Sequence, residues 1–169
     1  MFIAKRNVQQ MPGMAMEDPN NLLIQSPDGT FTEAGLRAGI ASLHRGRGAA
    51  LVDFNDDGRL DLAVVNRVAP LEIWRNDSDP IGAWIRVSVK QPAPNTQAIG
   101  AWIEVKDSRG IQRREITIGG GHAGGVAGPE HFGLGLTQEV QLRVIWPDGT
   151  ASDWQAVTPN QNVEIRRIP

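Results

Sequence analysis

A chain of 169 residues with seventeen Lys and Arg against nineteen Asp and Glu has a formal charge of -2 and no basic field to gather phosphate backbones, which sets nucleic acid aside as a partner. The length holds one ordinary domain or two small ones. Cysteine is absent, which excludes a disulfide framework, thiolate metal sites and a cysteine nucleophile, while nineteen glycines and eleven prolines favour short strands joined by turns.

At the N-terminus, MFIAKRNVQQ offers only a short apolar run before charge arrives, so it is no secretory h-region; no later stretch approaches a membrane span. MFIAKRN and the following NNLLIQSPDG echo LDLAVVNR and PLEIWRNDSD. Each is an apolar strand ending at asparagine, followed by a second strand that runs into an Asp-containing turn. The offset is about fifty to sixty residues, and periods near fifty point to blade-like or solenoid repeats, which need several units to bury a continuous core. The first segment is therefore expected to be the tail of a longer repeat array.

Residues 53 to 61, DFNDDGRLD, carry the densest chemistry. Calcium takes six to eight oxygen ligands, and alternate positions of a loop wrap around it when a glycine permits the bend. Asp53, Asn55 and Asp57 take positions one, three and five; Gly58 is the bend, Arg59 offers its carbonyl and Asp61 stands at position nine. Asp56 falls between ligand positions and is expected to face solvent. An EF-hand is excluded, because position twelve is Val64 and the flanks AALV and LAVV read as strands. A plain hairpin turn would need one aspartate for its geometry, not three phased carboxylates in mutual repulsion. The expected ion is Ca2+.

The stretch DSDPIG at 77 to 82 is the natural boundary, giving regions 1–78 and 79–169. Beyond it, period-two alternation recurs in Ile85, Val87 and Val89, in Ile99, Ala101, Ile103 and Val105, in Val140, Leu142, Val144 and Trp146, and in Val163 and Ile165. SPDGT, DSRG and WPDGT are turn signals, with proline pre-setting φ and glycine accepting positive φ. The fold class is all-β.

GGGHAGGVAGPEHFGLG, residues 119 to 135, fails as a phosphate cradle because no Gly-Lys-Ser/Thr follows. His122, Glu130 and His131 are its candidate ligand-binding residues, against the alternative of a structured glycine-rich crossover whose histidines bond to backbone. No nucleophile elbow is present, and Glu104 with Asp107 or Glu115 with Glu130 are acid pairs that any chain so rich in acids supplies by chance. No enzyme activity is expected. Of the five tryptophans, Trp74, Trp102 and Trp146 read as core or edge packing, and Trp84 and Trp154 as the more exposed.

GRGAALVDFNDDGRLDLAVVN, preceded by SPDGTFTE and followed by LEIWRND, resembles the FG-GAP/VCBS blade repeat of calcium-binding β-propellers. NTQAIGAWIEV, RREITIGGGH, PEHFGLG and VIWPDGT resemble the ASPIC/UnbV domain that often follows such repeats. Together the resemblances imply partial propeller blades followed by a small antiparallel β-sandwich-like domain, in a secreted or cell-surface protein with a protein or glycan ligand. The expected function is a calcium-binding, non-catalytic extracellular recognition or adhesion module. The alternatives are a carbohydrate-binding module and an accessory protein of a biosynthetic pathway.

Overall fold

The computed structural model describes residues 1–5, 18–79, 82–120, 125 and 128–168. Among the described residues there are thirteen strands and no helix. They divide into two compact units: Met1–Phe54 with Leu60–Asn76 and Gly120–Gly125, and Asn55–Arg59 with Asp77–Gly119 and Val126–Pro169.

The first unit holds two three-stranded antiparallel sheets. One has the order β1 (Phe2–Ile3), β2 (Asn21–Gln25), β3 (Phe31–Glu33), and the other β4 (Gly46–Val52), β5 (Asp61–Asn66), β6 (Glu72–Trp74). In β5, Leu62 and Val64 are buried, whereas Val65 on the opposite face and Ile73 on the neighbouring strand remain 57% and 58% exposed. Apolar residues thus stand on both faces of this sheet. The buried polar residues of the first unit are Asn20, next to β2, and Asp53, Asp61 and Asn66, in or next to β4 and β5.

The second unit consists of β7 (Ala83–Lys90), β8 (Trp102–Asp107), β9 (Gly110–Glu115), β10 (Glu130–Gly135), β11 (Val140–Ile145), β12 (Gln155–Val157) and β13 (Gln161–Arg166). They form sheets of order β10-β7-β13 and β12-β11-β8-β9. Their inner faces share one core that includes Ile85, Val87, Val89, Ile103, Val105, Phe132, Leu134, Val140, Leu142, Val144, Trp146 and Ile165, the sandwich-like arrangement that the family resemblance implies. β13 runs parallel to β7, so that sheet is mixed. No closed barrel or propeller is formed by the described strands.

One stretch of alternation does not become strand. Asn95 accepts the Ile99 N–H at 3.0 Å and donates to the Ile99 carbonyl at 2.9 Å, which claims both backbone groups that a ladder would use. Gly100 then takes a φ of 88°, and β8 starts only at Trp102. The turns Ser26–Thr30 and Trp146–Thr150 are closed alike: the aspartate, Asp28 or Asp148, accepts both the backbone N–H and the hydroxyl of the threonine two residues on.

Candidate functional site

Position nine of the acidic loop, Asp61, opens β5 and is 1% exposed. Its Oδ2 accepts the Phe54 N–H at 2.9 Å and its Oδ1 the Asn76 N–H at 2.8 Å, while the Asn76 amide reaches the Leu60 carbonyl at 3.2 Å. This carboxylate is fixed in place by two backbone donors. Asp53, just after β4, is 5% exposed. Two ionisable side chains are therefore buried in the first unit within one loop of sequence.

Asn55, Asp57 and Arg59 belong to the second unit. Asp57 accepts the Asn55 amide at 2.7 Å, the Arg59 N–H at 2.9 Å and the Arg59 guanidinium at 2.5 Å. The backbone bond from Arg59, ahead of the guanidinium charge, holds the Asp57 carboxyl below its usual range. Gly58 has a φ of 84°, the bend that its spacing predicts. Asp56 has a φ of 59° and an exposed side chain, but it is not idle: it pairs with Arg86 of β7.

The donor set is all oxygen: three carboxylates, an amide oxygen and a carbonyl, the chemistry a hard cation takes. As placed, no three His, Cys, Asp or Glu of the described residues stand together as a metal-holding group. Asp57 is engaged by Arg59 and Asp61 by two N–H groups, so the residues fit calcium by donor type and spacing, with Arg59 in the position of a competing cation.

In the glycine-rich stretch, His122 lies outside the described residues. Glu130 and His131 are neighbours in β10 and so point to opposite faces. His131 stacks on Trp84 with centroids 6.0 Å apart and planes 14° apart. Glu130 borders a hollow of about 330 Å³ lined also by Ile99, Ile116 and Lys90, where burial raises its carboxyl pKa and Arg114 partly offsets the shift. The two side chains do not share a face.

Sequence reasoning misses a third cluster. Glu104, 4% exposed, stands mid-strand in β8 and meets Arg113 of β9 at 2.8 Å and Arg143 of β11 at 2.6 Å. The guanidinium of Arg113 lies over Trp102, and that of Arg143 over Trp154. Trp102 thus stands on the outer face of its sheet, not in the core, because the buried side of β8 is that of Ile103 and Val105. Asp107, the other acid once pairable with Glu104, is bound by Arg109 at 2.5 Å. The one signal available in sequence was the alternation itself, which puts Trp102, Glu104 and Lys106 on one face.

Residues 90–168 match the ASPIC and UnbV family. Over 109 residues the chain is 32% identical to cartilage acidic protein 1 of Xenopus tropicalis, Mus musculus and Homo sapiens. That similarity covers 62% of this chain but only 17% of the Xenopus and mouse proteins and 16% of the human one. The chain spans a small part of the curated relatives it matches. Among the described residues, no helix is long and apolar enough to cross a membrane.

Proposed function

We propose that the chain is a calcium-stabilised, non-catalytic recognition module of the extracellular space, with an FG-GAP/VCBS-type repeat region at 1–78 and the ASPIC/UnbV-like domain at 79–169. The observation that carries the calcium reading is the loop from Asp53 to Asp61, where two carboxylates are almost wholly buried and a third is pinned beside a positive-φ glycine. Buried acids are costly unless a counter-charge or donors meet them. Asp53, Asn55, Asp57, the Arg59 carbonyl and Asp61 would hold the ion, which would supply positive charge and fix the loop.

The blade reading is supported by the β4-β5-β6 sheet, since a sheet apolar on both faces suits cover on both sides, and Leu51, Val65 and Ile73 stay exposed here. The extracellular reading draws on homology to proteins whose name ties them to cartilage. A non-catalytic role accords with the acids of the second unit, where Glu104 and Asp107 are tied to arginines and not arranged as a free pair.

Thermal melting tests this reading. An ion that binds the folded loop and not the unfolded chain adds RT ln(1 + [Ca]/Kd), about 2.7 kcal/mol at a hundred times Kd. Calcium should raise the melting temperature over chelator, and magnesium should raise it less. Identical melting in calcium and chelator would defeat the proposal.

A further inference from the structure

We propose that the outer face of the β12-β11-β8-β9 sheet binds an anionic polysaccharide, through two arginines held in place by the buried Glu104. This names a partner class for the recognition module and rests on that reading. The register sets Arg143, Glu104 and Arg113 directly opposite one another across three adjacent strands. With strands about 4.8 Å apart, the two arginine backbones are roughly 10 Å apart, and both side chains converge on the carboxylate between them.

The Glu104 side chain is 6% exposed, while those of Arg113 and Arg143 keep 52% and 30% exposure. A ligand arriving at the Arg113–Arg143 pair therefore meets the cations before Glu104, with Glu115 the exposed acid on the same face, opposite Trp102. Both ion pairs run through Nε, which fixes the plane of each guanidinium and leaves its terminal nitrogens as fork donors. Each cation also lies over an indole, at 5.2 Å for Arg113 on Trp102 and 4.5 Å for Arg143 on Trp154, and Lys106 approaches Trp154 at 5.8 Å. Holding long side chains in advance lowers the entropy cost of binding.

Charge complementarity selects an anion, and the shape selects a sugar chain. A peptide added by strand pairing would engage the backbone of an edge strand, not side chains across the middle of a sheet face. Sugar rings present flat C–H surfaces to indoles, and their sulfate or carboxylate groups suit the guanidinium forks. A neutral glycan would leave the forks unused.

Heparin titrated into the whole chain at physiological salt tests the proposal, with neutral dextran and poly-glutamate as competing probes. Heparin should bind, with dextran and poly-glutamate at least about tenfold weaker. Equal binding of poly-glutamate or dextran, or no heparin binding, overturns the assignment. Glu104→Gln adds a net positive charge, so attraction by charge alone would tighten heparin binding; loss of the clamp should weaken it by about tenfold. Arg113→Lys keeps the charge but not the fork and should weaken binding similarly, which serves if Glu104→Gln melts early. Arg166→Gln, which removes a positive charge on the other sheet, should leave binding within twofold. Tighter binding by Glu104→Gln, unchanged binding by Arg113→Lys, or an equal loss from Arg166→Gln contradicts the proposal. Heparin binding should persist in chelator, so failure of the calcium reading and failure of this one are separable.

Discussion

Arg59 grips Asp57 twice, donating its own N–H to Oδ1 at 2.9 Å and bringing its guanidinium to 2.5 Å from Oδ2. The second contact puts a cation on a carboxylate that the calcium reading assigns to the ion. Arg59→Gln leaves the backbone carbonyl in place and removes the competitor. Calcium affinity should therefore rise by about two- to fivefold, the range a part-exposed ion pair commands. Titration calorimetry on the variant checks this; unchanged or weaker affinity would mean that the side chain supports the loop and does not compete in it.

Gly58 is required for two separate reasons. Its φ of 84° disfavours any side chain, and a Cβ there would come within 1.9 Å of the Trp84 indole nitrogen. Trp84 cannot easily yield, since His131 stacks on it and Arg86 lies 5.5 Å from its centroid. Gly29 has a similar φ of 85° but nothing within 4 Å of a Cβ. Gly29→Ala should cost about 1 kcal/mol and Gly58→Ala clearly more. Equal losses in chemical denaturation would remove the role given to Trp84.

Acid should weaken the second unit through Asp148. The Arg167 side-chain hydrogen bond, with those from Thr150, lowers its pKa from 3.8 to about 2. A carboxyl with a depressed folded pKa lends stability that is fully present above the unfolded value and lost as pH falls through the folded one. The melting temperature should accordingly fall as pH drops from 3.8 toward about 2, and Arg167→Gln should flatten that part of the curve. A pH profile identical for parent and variant would contradict this.

Much of the second unit was legible because burial and strand period coincide. Ile85, Val87 and Val89 alternate in sequence and are buried in the fold, as are Val140, Leu142, Val144 and Trp146. Ile99 obeyed the same alternation yet lies in a turn, since the Asn95 amide captured its backbone. The parallel pairing of β13 with β7 depends on contacts across more than seventy residues, which no local pattern encodes. Likewise Glu104, Arg113 and Arg143 become neighbours only once register is fixed. In the acidic loop the spacing predicted which side chains carry oxygen, but not that Arg59 would answer Asp57 or that Arg86 would answer Asp56.

Calorimetric titration of calcium into the parent chain, Asp57→Ala and Asp56→Ala tests the central claim most directly. The parent should show saturable binding with a Kd of about 0.1 to 1 mM, the range of extracellular modules. Asp57→Ala should abolish the heat by removing a charged ligand position. Asp56→Ala, which loses only the exposed pair to Arg86, should bind nearly as the parent does. No calcium heat from the parent, or equal loss from both variants, would mean that DFNDDGRLD is a turn and not an ion site.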